Sequence, residues 1–256
     1  MADTFFAEQI RIWEQELEMY SRRNKLWMKH NKDQNKHKTE IETILLLTYH
    51  FLQMEPFQRR LRQNIMNDAL LYLDQIDSLQ DLKKLNIAQL ISIGNRQIAF
   101  LKALSILHGA LFGKRPILIG TISVPFQTLL HLHAVQRIGL SFGYELNNPK
   151  EMMIALKVYI SSLLPKTNQW EAWNELKELV NNPYTFSEEI TLFQDVPSTY
   201  PLTYLRSIIL LTFVPNDKNK RTLLSGVYHY RLFRKICHFT FTFYKYRFLT
   251  EKKSLH

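Results

Sequence analysis

Apolar residues return every three or four positions along most of the chain, the spacing of helices that bury one face. Near the start, Phe5, Phe6, Ile10, Trp13 and Leu17 follow it with Glu and Arg between them, and the pattern stops after Trp27. Residues 22–38 are basic and polar, and 31–38 read as an exposed loop or frayed helix. Helical spacing resumes over 41–54 and again over 56–76, where Pro56 suits a first-turn position. Residues 78–80 make a break, and Ile87–Phe112 follows with apolar residues on more than one face. Asn147-Asn148-Pro149 reads as a turn and helix start. The helix it opens carries Met152, Met153, Leu156, Tyr159, Ile160 and Leu163 and ends at Pro165. A short amphipathic piece over 170–180 stops at Asn181-Asn182-Pro183. The stretch 183–201, with three prolines and several acids, reads as a loop or insertion, and 207–214 as a short apolar run.

The last element begins near Arg221 and reaches Leu249. Within it, His238-Phe-Thr-Phe-Thr-Phe243 alternates like a strand, and Phe, Tyr and Thr favour strands. Nearly 30 residues is too long for one, however, and no partner strand with turn chemistry precedes it. The segment is read as helix. The whole is then a mainly α chain: a single domain over 1–256, a multi-helix bundle with a glycine-rich central helical pair. Five of the seven glycines, Gly109, Gly113, Gly120, Gly139 and Gly143, crowd into 35 residues. The pairs Gly109/Gly113 and Gly139/Gly143 place small residues one turn apart, which predicts close helix–helix packing at all four.

Composition adds limits. With 256 residues, 46% of them hydrophobic, the chain can bury a substantial core and is no disordered tail. A single cysteine, Cys237, excludes an internal disulfide. The first 16 residues carry Asp3, Glu8, Glu14 and Glu16 where a secretory signal needs a basic and then an apolar region, so a cytoplasmic chain is expected. The longest uncharged stretch, 116–136, holds two prolines, two histidines and two glutamines, and makes a poor membrane span. A helical pair broken near Pro125 fits it better.

Net charge is +10, and residues 201–256 alone contribute +9. There Tyr228, Tyr230, Phe233, Phe239, Phe241, Phe243, Tyr244, Tyr246 and Phe248 alternate with Arg231, Arg234, Lys235, Lys245 and Arg247. Aromatic rings with cations that can reach phosphates suit an interfacial helix. They also suit a nucleic-acid groove or a core helix with one basic edge. Contact with a membrane or a membrane protein through those five cations is the functional reading, and nucleic acid ranks behind it.

No motif for catalysis, cofactor or metal emerges. His131 and His133 are two positions apart and point to different sides of a helix. There is no HExxH, and one cysteine excludes cysteine-rich zinc patterns. His108, His131 and His133 are expected to be buried or interfacial and satisfied by backbone carbonyls. Ser225-Gly226 lacks the framing glycine of G-x-S-x-G. Cys237 and His238 are neighbours about 100° apart on a helix. Gly109-Ala-Leu-Phe-Gly113-Lys114-Arg115 is one residue short of a phosphate loop and lacks its hydroxyl. No catalytic, cofactor or metal residue is assigned.

Several motifs together resemble a known family. Gly109-Ala-Leu-Phe-Gly113, Val124-Pro125, the run from His133 through Gln136 and Gly143 to Tyr144-Glu145, and Asn148-Pro149-Lys-Glu151 resemble the signature of the EcsC protein family. Ile10-Arg-Ile-Trp13-Glu14 looks like its amino-terminal acidic Trp helix, and Tyr244-Lys-Tyr-Arg247-Phe-Leu249 like its closing motif. The order and spacing hold from about residue 8 to 250. The chain departs in having Ser123 where members commonly carry Asp, Phe142 for Tyr, and Lys114-Arg115-Pro116 for a glycine-rich run.

The resemblance implies a protein associated with an ABC exporter linked to secretion in low-GC Gram-positive bacteria. Together with the basic aromatic end, it leads to the expectation of an accessory protein peripheral at the inner membrane face, with transporter subunits or anionic inner-leaflet lipid as partners and no cofactor. The competing class is a hydrolase with a site in the glycine-rich centre, Gly109–Tyr144.

Overall fold

The computed structural model describes residues 2–24, 47–48, 50–112, 124–145, 148–181 and 218–254. Seven α-helices are described from end to end: α1 (Ala2–Asn24), α2 (Glu55–Ala69), α3 (Ile87–Phe112), α4 (Val124–Ser141), α5 (Pro149–Leu163), α6 (Lys166–Asn181) and α7 (Lys218–Ser254); residues 47–48 and 50–52 are helical as well. A 3-10 helix spans Leu79–Lys84, and no strand occurs among the described residues. The expected loops at 31–38 and 183–201, the run 207–214, and Gly113, Gly120 and Ser123 lie outside them.

Local chemistry sets the ends of several helices. Asn148 accepts the Lys150 amide at 3.0 Å, with Pro149 in the first turn of α5. Asn86 and Gln89 exchange side-chain and backbone hydrogen bonds of 2.9 and 3.0 Å, a reciprocal cap at the start of α3. The expected break at 78–80 is instead the mouth of the 3-10 helix. There the Asp81 carboxylate accepts from the Ser78 amide at 2.9 Å. Lys84, then the Ser78 and Asp77 amides, hold the Asp81 pKa down to about 2.

α3 and α7 form the spine, packed antiparallel. Gly94 of α3 faces Phe241 of α7, and Gly109 faces Ser225, Gly226 and His229. α4 runs antiparallel to α3: Arg137 donates to Gln97 at 2.9 and 3.0 Å, while His108 stacks on Phe126 with ring centres 5.0 Å apart. α5 and α6 close the side beyond α4 and α7, and α1 lies across α6 and α7. The aromatic core gathers around fully buried Trp173, whose ring meets Trp13, Phe239, Phe243 and Tyr246 edge-on at 4.8–6.2 Å.

The strand-like run 238–243 is helical, as read. Phe239 and Phe243, one turn apart, go into the core, and the threonine hydroxyls return to the backbone. Thr240 donates to the Ile236 carbonyl at 2.8 Å and Thr242 to that of His238 at 2.9 Å. Among the described residues one helical stretch, Ile87–Leu111, is long and apolar enough to cross a membrane. Its inner face is occupied by the bundle, where Leu90, Ile93, Ile98 and Leu101 are buried.

Candidate functional site

The five cations singled out on α7 have separate environments. Arg247 reaches Glu151 of α5 through a two-pronged pair of 2.5 and 2.7 Å, reaches Glu251 at 3.1 Å, and lies 3.9 Å from the Tyr144 ring centre. Burial opposes its charge, but the hydrogen bonds and charge of Glu151 outweigh that and raise its pKa. Lys235 donates to the Leu164 carbonyl at 2.8 Å and the Leu163 carbonyl at 3.4 Å, at the end of α5, and burial lowers its pKa to about 8. Lys245 is partly buried with its ammonium 5.7 Å from the Phe6 ring centre. Arg231 and Arg234 are exposed, and neither pairs with an acid among the described residues.

Arg231 and Arg234 continue a stripe. Leu224, Val227, Arg231, Arg234 and His238 recur every three or four positions on α7, and all five are exposed. Beside them, the outer face of α3 carries Phe100, Ala103, Ile106, Leu107 and Leu111, also exposed, with Lys102 among them. Lys102 lies 5.2 Å from the Tyr230 ring centre, and Ile106 lies against Gly226, so the two stripes adjoin. No Asp or Glu occurs in α3, in α4, or in α7 before Glu251. Asp74, Asp77, Asp81, Glu145 and Glu251 gather at the other end, where α3 begins and α4 and α7 finish, while Glu16 of α1 lies within electrostatic reach of His238 on the stripe. Lys83 bridges to Glu251 at that other end at 2.8 Å. This separation escapes a count of net charge and shows only when the helices are stacked.

Beneath that face lies a polar seam. Gln127 and the Nδ1 of His229 are 2.7 Å apart. Ser105 donates to the His229 carbonyl at 3.2 Å, and the His108 and His229 rings meet edge-on at 5.2 Å. Burial lowers the pKa of His108 and His229 to about 4, His108 adding to the effect on His229. His131 is fully buried between Tyr159 and Phe233, and its pKa lies well below the ordinary value through burial, then His229 and His108. Neither of its ring nitrogens has a hydrogen-bond partner among the described residues, which corrects the expectation of backbone carbonyls there. His133 points away from His131, as read, and its Nε2 accepts from Arg137 at 2.7 Å. Among the described residues no group of His, Cys, Asp and Glu is arranged to hold a metal ion.

The glycines divide by role. A Cβ on Gly109 would come within 2.6 Å of the His229 ring and 2.8 Å of the Ser225 carbonyl, and one on Gly139 within 2.7 Å of the Tyr244 hydroxyl. At both positions a neighbouring helix comes too near for a side chain. Gly143 is instead a turn residue just past α4, with φ +81°, its would-be Cβ 2.9 Å from the Leu79 carbonyl. Gly94, against Phe241, is a close approach that the paired-glycine pattern missed because it has no partner one turn away.

The motifs that suggested a family meet in space. Tyr144, Glu151 and Arg247 form the cluster just described. Glu14 accepts from Trp173 Nε1 at 2.7 Å and from Lys177 at 3.0 Å, pinning α1 to α6 beside Trp13. No curated protein and no solved structure gives a significant match to the chain. A family model described as the EcsC protein family matches residues 8–249. The chain belongs to the EcsC protein family.

Proposed function

We propose that this chain is an accessory protein of an ABC exporter linked to protein secretion, acting as a peripheral, non-enzymatic binder at the cytoplasmic face of a bacterial membrane. The observation that carries the membrane part is the exposed pair Arg231 and Arg234, unpaired with any described acid and set on α7, which carries no carboxylate before Glu251, beside α3, which carries none. Such a surface attracts anionic headgroups, each cation contributing about 1 kcal/mol near the leaflet and less as salt rises. The exporter link comes from the family resemblance alone.

The hydrolase alternative has one observation in its favour: the buried Ser225 hydroxyl has no hydrogen-bond partner among the described residues and lies one turn before His229. Against it, the group on His229 Nδ1 is a neutral amide, Gln127, where a triad carries a carboxylate to stabilise the imidazolium. Both side chains are also sealed from solvent.

Co-sedimentation with vesicles tests attachment. Wild type should bind mixed phosphatidylcholine–phosphatidylglycerol vesicles at low salt, and Arg231→Glu/Arg234→Glu should not. Equal binding of both proteins, or none by wild type, overturns the membrane reading. Co-purification with the exporter's ATPase or permease subunit tests the remainder.

A further inference from the structure

From Ile98 to Leu111 α3 carries three polar residues, and two of them, Ser105 and His108, are buried. Lys102 alone is polar on the outside. A helix apolar all round ordinarily has partners all round. Here Ile98 and Leu101 enter the core, and α4 and α7 take the two inner sides. The remainder shows Ala99, Phe100, Ala103, Ile106, Leu107 and Leu111, all exposed. At 3.6 residues per turn these six spread over about 140° of the circumference and run about 18 Å along the axis. Phe100, at 70%, is the most exposed large apolar side chain among the described residues. So broad an arc is a ridge, not a groove. The outer faces of α1 and α6 are differently made. On α1, exposed Glu8, Arg11 and Glu16 stand among exposed Phe5, Ile12 and Met19, and α6 exposes Glu171, Glu175 and Glu178.

Cations border the ridge along its flank and at its end. Toward α7, Lys102 lies 5.2 Å from the Tyr230 ring centre, which puts Arg231 at its level and Arg234 one turn on, beside Ala99 and Phe100. Leu224 and Val227 extend the apolar surface onto α7 where Gly226 meets Ile106 and Ala110. Past Leu224, α7 reaches back to Lys218, with Lys220 and Arg221 in the same first turn. At the opposite end Asp68 of α2 stands 3.9 Å from Arg96, and Glu16 of α1 lies within electrostatic reach of His238. Carboxylates thus appear where the apolar arc stops. Lys102 is about 110° round α3 from the centre of the arc. With the arc turned to acyl chains, its ammonium stands at the height of the headgroups, and the flexible stem lets it reach them. An apolar ridge flanked lengthwise by cations suits a partner that is apolar within and anionic at its border, in layers parallel to the helix. A bilayer leaflet with anionic headgroups has that layering.

We propose that α3 lies flat in the headgroup–acyl boundary of an anionic bilayer, with its ridge from Ala99 to Leu111 facing the acyl chains. Lys102, Arg231 and Arg234 stand at the phosphates, and α7 runs beside α3 along the surface. The proposal rests on the attachment reading above and adds to it the inserted face and its orientation.

The chain's own cysteine allows a direct test. Cys237 is buried, and burial pushes its thiol pKa up, so a cysteine placed on the surface reacts selectively. An environment-sensitive fluorophore is attached in three separate variants: Ala99→Cys, Leu107→Cys about 12 Å farther along α3, and Glu171→Cys, exposed on α6 across the bundle. With mixed phosphatidylcholine–phosphatidylglycerol vesicles, the probes at 99 and 107 should both shift to the blue and keep that shift at moderate salt. The probe at 171 should not move. In the unlabelled chain, Phe100→Ser/Leu107→Ser leaves every charge in place and should weaken vesicle binding about tenfold or more, with helical content unchanged.

Vesicle binding that depends on Arg231 and Arg234 without a shift at 99 and 107 would overturn insertion and leave attachment standing. A shift at 107 without one at 99 would mean that α3 does not lie in the plane, and a shift at 171 as well would mean adsorption without a preferred face. Either overturns the proposal. Absence of binding would overturn both readings. Probes on α3 that are already blue without vesicles would show the ridge covered, and insertion would again be wrong. Concentration dependence of that signal would identify a second copy as the cover, and its absence another part of this chain.

Discussion

Arg247 and Glu151, 96 positions apart, meet fork to fork at 2.5 and 2.7 Å and close α7 onto the start of α5. Their side chains are 12% and 14% exposed, so water screens the pair little. The Tyr144 ring under the guanidinium and Glu251 one turn on complete the cluster.

Breaking this pair from one side should be expensive. Arg247→Met leaves the Glu151 carboxylate buried without its cation, and a loss of about 3 kcal/mol is expected. Arg247→Met/Glu151→Leu removes both charges and should lose clearly less than the sum of the single changes. Urea denaturation of the three variants reads both numbers. Additive losses would mean that the two side chains act independently.

Two glycines on facing helices should respond in opposite ways. Gly109→Ala drives a methyl into the His229 ring and into backbone that cannot yield, so a loss of about 1–3 kcal/mol is expected despite the better helix former. At Gly226 the nearest atoms to a Cβ are 3.5–3.9 Å away, ordinary contact. Gly226→Ala should therefore be neutral or stabilise by up to about 1 kcal/mol. Thermal melts of the pair separate packing from propensity.

The helices were legible because burial imposes a period on the sequence. The ends of α3 and the start of α5 are legible because their signals are local: an apolar period, an Asn cap and a proline. Positions 238–243 show propensity yielding to context, since their alternation would have served a strand had a partner strand existed. The candidate site was legible only as composition. Nothing in the sequence separates Arg231 and Arg234 from Lys235, Lys245 and Arg247. The difference lies in what arrives from elsewhere: the open end of α5 at Lys235, Phe6 at Lys245 and Glu151 at Arg247. The unpartnered imidazole of His131 was equally invisible, because the residues that surround it come from α5 and α7.

The buried histidines make stability depend on pH in a defined direction. His108 and His229 titrate near 4 and His133 near 3 in the folded protein, with His131 also depressed, against an ordinary value of 6.5. As pH falls through 6.5 the unfolded chain takes up these protons first. Stability therefore holds above that point, declines toward about pH 4, and stops declining from this source only once the folded imidazoles also charge. Asp81, held near 2, adds its own loss only at lower pH. Replacing His131 by Phe removes one of these imidazoles and a polar group with no partner. The variant should be at least as stable as wild type at neutral pH and show a shallower decline in acid. A urea midpoint series across this range tests it, and an unchanged slope would mean that His131 is not buried neutral.

Adjacent cations on α7 should separate structure from surface. Arg231 and Arg234 touch no described acid, so Arg231→Glu/Arg234→Glu should shift stability by no more than about 0.5 kcal/mol per site, as exposed positions do. Lys235 is one residue farther but faces inward, donating to the Leu163 and Leu164 carbonyls where α5 ends. That end carries the negative pole of the helix, and a carboxylate there loses the charge-assisted bond and is repelled as well. Lys235→Glu should lower stability by about 2–4 kcal/mol. A charge-reversal experiment that included Lys235 would therefore confuse unfolding with lost binding, whereas the Arg231/Arg234 pair alone reads the surface. Denaturation midpoints measured beside vesicle binding decide the matter: Lys235→Glu as stable as wild type would mean the α5 end is not capped from α7, and an unstable Arg231→Glu/Arg234→Glu would return both arginines to the fold.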